Sequence, residues 1–580
     1  MIQNPDLVIR GGNIADGKGG ELFEADVAIK DGRITEVGKV LAKGREEIDA
    51  RGKLVAPGFV DVHTHYDGQV TWSQDITPSS QNGVTTAVMG NCGVGFAPCR
   101  PDDHLRLIQL MEGVEDIPEP VLSAGIPWEW ESFPDYMDWL SRRSFDLDIG
   151  AQLPHAALRV YVMGERGAQR EPATPEDNQA MAALAGEAVR AGALGFSTSR
   201  TLVHRTSTGD YAPTLKAGED ELTAIATAMH AEGRSVLQFV LDVTTADVDL
   251  PMLLRLAENT KCPISMSLAQ NDKAPRRWSQ TLETLKEATS RGLSMNAQVP
   301  VRPVGLMLGL ELSRNPFQTH PSYQAIAHLP LAERLKRLHQ PDVRAAILSE
   351  SAITTDDPLF FRPDYDKMYL LGNPPDYEQP PENTLGMQAR RQGRKPEELA
   401  YDAMLSNGGT GMLYIPFLNY TDGNLDVTRA MLIHPNSVPG LSDGGAHCGV
   451  ICDASFPTYL LTHWTRDRSR GEKLSIPFVV AAQSRKTALS AGLYDRGVIA
   501  PGFKADVNVI DYDRLHLHPP KAHYDLPVGG RRLLQDVDGY DATIVSGVVT
   551  RRGDKATGAR PGRVIRGTQG DTRQFGAAAG

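Results

Sequence analysis

Two histidines separated by one residue, His63 and His65, follow an apolar run over residues 54–62. If that run is a strand, alternate side chains share a face, so both imidazoles project together where the strand ends. Two converging imidazoles suit one divalent cation, zinc above all. Two histidines in an ordinary polar loop are the alternative. The apolar run favours a metal site at the carboxyl end of a strand.

Cys92 and Asp443 also come directly after apolar runs, within residues 90–93 and 441–444. A thiolate beside the two histidines would bind zinc well. A carboxylate at the same edge could bind the metal and take a proton from bound water. The alternatives are a buried structural cysteine and a turn aspartate before glycines. Together with the histidine pair, the four residues predict one metal centre.

Five further polar residues are candidates for the same site. His447 lies four residues after Asp443 and could serve as an acid/base group, an extra ligand or a loop histidine with a structural hydrogen bond. His155 and His204 follow the third and fourth predicted strands. Arg200 and Arg302 lie near strand ends and could bind a substrate carboxylate in bidentate fashion, or form ion pairs at the rim.

The elements that must position these residues are strands alternating with amphipathic helices, the pattern of a parallel sheet. Eight strands are predicted, which favours a closed (β/α)₈ TIM barrel, an α/β fold. In such a barrel the carboxyl ends of the strands form the active face. The predicted strands are residues 55–62, 85–90, 148–153, 193–198, 235–240, 263–268, 294–299 and 438–443.

Short strand patterns at both chain ends predict a second, smaller unit. Residues 1–56 and 497–560 are expected to meet in one small β-sandwich domain, and residues 57–496 to form the barrel. A long proline-rich insertion over residues 304–437 is typical of a lid or an oligomer contact, so a homo-oligomer is compatible with the sequence. The tail from Gly558 is expected to be loosely ordered.

Composition excludes several classes of partner. The chain has 580 residues and a net charge of -12 without a basic stripe, which argues against nucleic acid. No apolar stretch approaches the ~20 residues that span a bilayer, so no membrane association is expected. Residues 1–6 lack the features of a signal peptide, and five cysteines without framework spacing indicate a reducing cytoplasm. A small-molecule substrate is the expected partner.

The motifs resemble the amidohydrolase superfamily, and within it the D-aminoacylase-like (N-acyl-D-amino-acid deacylase) branch. The resemblance spans almost the whole chain. It is carried by Ala-Pro-Gly-Phe-Val-Asp-Val-His-Thr-His at 56–65, Gly-Val-Thr-Thr at 83–86, Gly-Asn-Cys-Gly at 90–93, Gly-Ala-Leu-Gly-Phe-Ser-Thr at 192–198, Ser-Asp-Gly at 442–444 and Gly-Val-Ile-Ala-Pro-Gly-Phe-Lys-Ala-Asp at 497–506.

The resemblance implies a metal-dependent hydrolase of a C–N amide bond, for example in an N-acyl-(D-)amino acid. It implies hydrolysis by metal-activated water, with His63, His65 and Cys92 as ligands and Asp443 as ligand or general base. Hydrolysis of another carbonyl bond, in a lactone, a cyclic amide or a β-diketone, is a related alternative. A non-catalytic relative that keeps the fold for assembly is the alternative from another class.

The chain departs from the family at the later metal ligands. The family usually places histidines on the fifth and sixth strands, where this chain has Gln238 and Met266. The lysine that usually follows on the sixth strand is missing, and the fourth strand offers no lysine to bridge two metals. Because His63, His65, Cys92 and Asp443 suffice for one tetrahedral site, one divalent metal, zinc, is predicted.

Overall fold

The computed structural model describes residues 4–233, 235–353 and 362–570. Among these, no helix has the length and apolar character needed to cross a membrane. The strands in chain order are β1 Leu7–Ile14, β2 Phe23–Lys30, β3 Arg33–Gly38, β4 Glu46–Asp49, β5 Leu54–Pro57, β6 Phe59–Asp61, β7 Val84–Met89, β8 Asp148–Pro154, β9 Gly195–Ser199, β10 Val236–Val240, β11 Ile264–Ser267, β12 Met295–Val299, β13 Val304–Leu308, β14 Tyr369–Leu370, β15 Leu413–Leu418, β16 Ser437–Pro439, β17 Val507–Ile510, β18 His516–Leu517, β19 Lys521–Leu526, β20 Gly530–Leu534, β21 Val537–Asp538, β22 Tyr540–Val545, β23 Val548–Arg552 and β24 Lys555–Ala556.

The helices follow mainly the barrel strands and fill two long insertions, residues 93–147 and residues 304–437. Helix α7 shows the local logic: the Thr174 side chain accepts from Asp177 N at its start, and Gly192 ends it with φ +107°. The helices are α1 Gln69–Trp72, α2 His104–Glu115, α3 Glu119–Gly125, α4 Phe133–Ser141, α5 His155–Met163, α6 Glu165–Ala168, α7 Pro175–Ala191, α8 Glu219–Glu232, α9 Ala246–Thr260, α10 Arg277–Ser290, α11 Pro321–Ala327, α12 Leu331–Leu338, α13 Pro341–Ser349, α14 Leu385–Gln392, α15 Pro396–Gly409, α16 Asp426–Leu432, α17 Phe456–Tyr459, α18 Ile476–Ala481 and α19 Thr487–Ser490, with π-helical turns at Leu460–Asp467 and Ala482–Lys486.

Eight parallel strands, β6 to β12 and then β16, form a TIM-barrel-like domain. They neighbour one another in sequence order, and each of the eight predicted strands is present. Just beyond the carboxyl ends of the first and last strands, His65 N donates to Gly444 O at 2.8 Å and Asp443 N donates to His63 O at 3.2 Å. The last strand ends at Pro439, so Asp443 lies in the loop rather than in the strand as predicted.

The predicted strand over residues 55–62 is two strands that serve different sheets. β5 pairs with β1 and β17, whereas β6 pairs with β7. Gly58 separates them, and a Cβ there would lie 2.2 Å from Thr85 Oγ1, so only glycine fits against the Thr85 side chain. The metal-site strand β6 therefore continues directly from β5, a strand of the other sheet.

Strands from both chain ends share one nine-stranded sheet. Its order is β24-β23-β22-β17-β5-β1-β2-β3, and β4 pairs with β1. The junction is the antiparallel pair of β5 with β17, in which Val55 lies opposite Val509. Apolar side chains from both ends pack in one core on this sheet, including Ile9, Val27 and Ile544.

The insertion over residues 304–437 has its own small core. β13, β15 and β14 form a three-stranded sheet, and α11 to α15 pack on it. The buried carboxylate of Glu378 accepts from Arg468 Nη2 at 3.0 Å and lies 2.8 Å from His463 Nε2, both on or beside the π-helical turn Leu460–Asp467. The insertion is thus anchored to the segment that follows the last barrel strand.

Residues 562–570 are packed against the barrel, in contrast to the loosely ordered tail expected from Gly558. Phe145 N donates to Gly562 O at 3.0 Å, and Ile565 N donates to Ile149 O at 2.7 Å. Ile565 is buried among Val60, Val88 and Leu194. The tail therefore lies along the amino end of the third barrel strand; residues 571–580 lie outside the described residues.

Candidate metal centre

His63, His65 and Cys92 form a compact buried group at the carboxyl ends of the first two barrel strands. One donor atom from each lies within 4.8 Å of the others. His63 Nε2 is 3.3 Å from Cys92 Sγ. Asp443 joins the two histidines from the last strand's loop, with Oδ1 3.5 Å from His63 Nε2 and 3.7 Å from His65 Nε2. The four predicted ligands therefore meet at one place.

The distances between the donor atoms, and the lack of hydrogen-bond partners for some of them in the described part of the chain, are consistent with a cation bound at this place. Both ring nitrogens of His65 and Oδ1 of Asp443 are buried without a hydrogen-bond partner among the described residues. Buried polar atoms without a partner are uncommon, and a bound ion or water would satisfy them. Donors bound tetrahedrally to zinc at its usual bond lengths lie about 3.3–3.7 Å apart. The distances of 3.3 Å from His63 Nε2 to Cys92 Sγ and of 3.5 and 3.7 Å from the two histidines to Asp443 Oδ1 agree with that geometry.

The orientation of His63 is set by a glutamine on the seventh barrel strand. Gln298 Oε1 lies 2.6 Å from His63 Nδ1, and Gln298 Nε2 donates to Ser265 Oγ at 3.0 Å. Because the amide oxygen can only accept, Nδ1 of His63 carries the proton. Nε2 of His63 then carries the free lone pair, and it faces Cys92 and Asp443.

The loops that carry the site have unusual backbone. Cys92, Leu441, Asp443 and His447 all have left-handed φ values between 50° and 57°. That region is sparsely populated for residues with a side chain, and such strain gathers at functional sites. The surrounding packing therefore holds Cys92 and Asp443 in positions that an unconstrained turn would not favour.

Burial and charge shift the site's titrations strongly. Burial lowers the pKa of His63 to about 4 and raises that of the Cys92 thiol to about 12. Burial also acts to lower the pKa of His65, but Glu115 and Cys92 outweigh it and hold it well above the ordinary value. Burial acts to raise the pKa of Asp443, yet the neighbouring histidines hold it well below its usual range. Metal binding as the thiolate must therefore release the Cys92 proton.

Gln238 takes the place of the expected strand-five ligand but does not point away from the site. Its Oε1 accepts from Cys92 N at 3.1 Å, and its Nε2 is buried without a partner among the described residues. Met266 is fully buried in the main core. The fifth strand thus supports the cysteine loop, and neither residue adds a side chain of the usual zinc-ligand types.

His447 and His204 lie at the edge of the group. His447 Nε2 is 3.7 Å from Asp443 Oδ2. His204 Nδ1 hydrogen-bonds Ser199 Oγ at 2.8 Å. Burial, together with His65 and His447, lowers the pKa of His204 to about 3, so its ring stays neutral near the site. His447 therefore lies beside Asp443, whereas the hydrogen bond of His204 is to Ser199 at the end of the fourth barrel strand.

Arg302 lies in a buried polar pocket near the last-strand loop. Its Nη2 is 2.9 Å from Asp453 Oδ1, and its guanidinium lies 3.6 Å from the centre of the Tyr377 ring. Its Nε and Nη1 have no hydrogen-bond partner among the described residues. Asp453 in turn lines a pocket that opens onto Asp443. Nη2 also donates to Cys452 O, so the guanidinium is engaged through Nη2 and keeps Nε and Nη1 as donors that the described residues leave unpaired.

His155 and Arg200 are engaged elsewhere. His155 bonds Thr198 Oγ1 at 2.8 Å and Glu221 Oε1 at 2.7 Å, so both ring nitrogens are occupied within a buried network. Arg200 Nε is 3.3 Å from Asp249 Oδ1, and its Nη1 donates to Ala217 O. Neither side chain joins the metal group.

Sequence reasoning missed Glu115, at the carboxyl end of α2. Its Oε1 is 3.4 Å from His65 Nδ1, and its Oε2 is 3.6 Å from His447 Nε2. A signal did exist: Leu107, Met111 and Glu115 are spaced four apart, so the acid falls on the buried face of an amphipathic helix. A buried acid at such a position needs a partner.

The pocket above Asp443 is mainly apolar. Its walls include Trp72, Ile117, Ile451, Leu526 and Leu533. The last two come from the β19–β20 hairpin, which sequence analysis did not connect with the site. Arg532 on the same hairpin bonds Asp525 and Thr77 O, which fixes the hairpin to the loop after the first barrel strand.

Comparisons with known proteins agree with the fold. The chain is 32% identical over 229 residues to a D-aminoacylase of Alcaligenes xylosoxydans xylosoxydans, covering 39% of this chain and 43% of that protein. It is 36% identical over 196 residues to an N-acyl-D-aspartate deacylase of the same organism, covering 33% and 36%. Both matches span less than half of the curated relatives. An uncharacterized protein of Mycobacterium bovis is 26% identical over 596 residues, covering 95% and 93%.

Solved structures share the fold at low identity. A D-aminoacylase matches with a TM-score of 0.64 at 22% identity, covering 97% of this chain and 99% of that one. The N-acyl-D-glutamate deacylase of Bordetella bronchiseptica matches with a TM-score of 0.63 at 23% identity, covering 97% and 100%. The amidohydrolase family model (Amidohydro_3) matches residues 46–551. The resemblance inferred from the motifs is thereby confirmed, and the chain belongs to the amidohydrolase family.

Proposed function

We propose that this protein is a metal-dependent hydrolase of a C–N amide bond other than a peptide bond, with N-acyl-(D-)amino acids as its substrates. The observation that carries the proposal is the buried group of His63, His65 and Cys92 with Asp443 against both histidines. A scaffold protein has no need of this donor set. Two relatives with a stated activity are a D-aminoacylase and an N-acyl-D-aspartate deacylase.

The proposed ligands are His63, His65, Cys92 and Asp443, and the proposed ion is one zinc. When bound, zinc would lower the pKa of a bound water and polarise the scissile carbonyl. Asp443 is the proposed proton acceptor, because its carboxylate stays ionised and its Oδ2 faces His447 at 3.7 Å. His447 then assists as acid or base at the open side of the site.

The single metal follows from what the fifth and sixth strands contribute. Gln238 bonds the Cys92 backbone and Met266 is apolar, so no further ligand of the usual types comes from those strands. A solved D-aminoacylase of similar fold is described as having a binuclear center with one-metal activation and second-metal attenuation. One metal is therefore compatible with activity in this fold. Two tightly held ions per purified chain would contradict the proposal.

Substrate orientation is assigned to Arg302 and His204. Arg302 keeps two donors without a hydrogen-bond partner among the described residues, as a carboxylate receptor requires, and its partner Asp453 lines the pocket that opens onto Asp443. The ion pair with Asp453 neutralises part of the charge of Arg302. A substrate carboxylate would therefore share the guanidinium with Asp453. The apolar walls of Trp72, Ile117 and Ile451 suit an acyl chain.

The proposed division of the chain follows the same arrangement. Residues 57–496 form the catalytic barrel, and residues 1–56 with 497–560 form a small β-sandwich domain. The shared sheet and its common apolar core support this division.

The test is a metal-replete activity screen over N-acyl-D- and N-acyl-L-amino acids, with metal analysis of each variant. His63→Ala removes a ligand and should abolish both bound zinc and turnover. His230→Ala, an exposed histidine late in α8, is the matched control and should change neither. Turnover that survives His63→Ala would refute the mechanism, and turnover of lactones or β-diketones in place of amides would move the reaction class.

A further inference from the structure

Glu115 is a buried acid that the proposed centre does not yet use. It is the last residue of α2, and only 1% of its surface is exposed. Its ion-pair contacts among the described residues are His65 and His447 alone. Its Oε1 has no hydrogen-bond partner among the described residues. Burying a carboxylate in this way costs free energy of folding unless it interacts with a neighbouring cation or hydrogen-bond donor.

Glu115 faces the side of His65 that points away from the other ligands. Glu115 Oε1 is 3.4 Å from Nδ1 of His65, whereas Asp443 Oδ1 is 3.7 Å from Nε2. His63 shows the same division, because Gln298 holds its Nδ1 while its Nε2 faces Cys92 and Asp443. Both histidines thus offer Nε2 to the metal and Nδ1–H to the protein.

We propose that Glu115 is a positioning residue of the metal centre, which accepts the Nδ1 proton of His65 and holds His447 beside Asp443. This inference rests on the proposed function, because it concerns the same metal. A carboxylate behind a ligating histidine fixes its tautomer and makes the ring a stronger ligand. That help matters more here, since Gln238 and Met266 stand where further ligands were expected.

The end of α2 also holds the loop that carries Asp443. His447 N donates to the backbone oxygen of Glu115, and Gly449 N donates to Asp116 Oδ2 at 2.9 Å. One short segment from the 93–147 insertion therefore contacts both the His65 loop and the last-strand loop. Within that segment, the Glu115 carboxylate contacts both His65 and His447.

The experiment measures zinc affinity by chelator competition in Glu115→Gln. The amide is isosteric but uncharged, and the expected loss is roughly 10- to 100-fold. The Co²⁺-substituted protein should keep its thiolate charge-transfer band and its coordination number, because Glu115 is not itself a ligand.

Two further variants make the result decisive. Glu112→Gln, on the same helix, is the matched control; its Oε1 accepts from Glu119 N, a bond that glutamine keeps, so zinc affinity should not change. Glu115→Asp keeps the charge and should bind zinc more tightly than Glu115→Gln. Zinc affinity within twofold of the parent in Glu115→Gln, or a lost cobalt ligand, would overturn the positioning role. A parent that binds no metal would instead overturn the proposed function itself.

Discussion

Gln298 shows how one neutral side chain can decide which nitrogen of a histidine is available. It accepts from His63 Nδ1 at 2.6 Å within the barrel, where no solvent replaces it. Gln298→Leu should remove this acceptor and leave a buried N–H unpaired, which costs about 1–3 kcal/mol of stability in the metal-free protein. Zinc affinity should fall roughly 10- to 100-fold, as for other residues that hold metal ligands.

Denaturant unfolding without metal and chelator competition with zinc measure the two effects separately. Gln152→Leu is the matched control, because Gln152 Nε2 donates to Asn91 Oδ1 rather than to a proposed ligand. It should destabilise the protein with a much smaller change in zinc affinity. Equal losses of affinity in the two variants would show that Gln298 acts through packing alone.

At this scale the sequence indicated His63, His65, Cys92 and Asp443 because each follows an apolar run at a strand end. The spacing along α2 could place Glu115 on the buried face of that helix, but it could not indicate the contacts with His65 and His447, which depend on how α2 packs against the barrel. His155 was misleading for a physical reason: it also follows a strand, but it begins α5 and both of its nitrogens are taken by neighbours.

The anchor of the insertion is a buried carboxylate whose ionisation responds to pH. Burial acts to raise the pKa of Glu378, but hydrogen bonds from His463, Arg468 and Leu425 N lower it to about 2. Because the folded pKa is depressed, the stabilisation is fully present above the unfolded value of 4.5 and is lost as pH falls towards 2. After allowance for solvent screening it amounts to about 2 kcal/mol.

Glu378→Gln should therefore be less stable than the parent by about 2 kcal/mol at neutral pH, and the gap should close between pH 4.5 and pH 2. Urea unfolding across that range measures it. Glu382→Gln, at an exposed position nearby, should track the parent at every pH. A gap that stays constant with pH would mean that the Glu378 interactions do not depend on its charge.

Elements were easier to predict in type than in extent. Apolar runs and helix caps indicated all eight barrel strands, since these signals are local. The division at Gly58 depends on the distance to Thr85, and the end of the last strand at Pro439 depends on pairing with β12; neither is visible in a run of residues. The contribution of the β19–β20 hairpin to the pocket could not be predicted either, because it also depends on contacts between residues far apart in the chain.

The metal centre lies where the first and last barrel strands meet, so bound metal should stabilise the whole barrel. Its proposed ligands come from the first, second and last strands, which are separated by most of the barrel's length in sequence. Zinc at 100 times its dissociation constant should raise the free energy of unfolding by about 2.7 kcal/mol. Thermal unfolding with zinc and with chelator measures this shift, and His63→Ala should abolish it. An unchanged melting temperature in the parent would favour a non-catalytic scaffold.

The pairing of β5 with β17 delays completion of the shared sheet during synthesis of the chain. Val55 lies opposite Val509, so the sheet that contains the first strands is completed only after about 450 more residues have been synthesised. Until then β5 presents an open edge and apolar side chains to the surroundings, which is the condition that promotes aggregation of nascent chains. This protein should therefore depend on chaperones during translation more than a barrel whose early strands pair with their immediate successors.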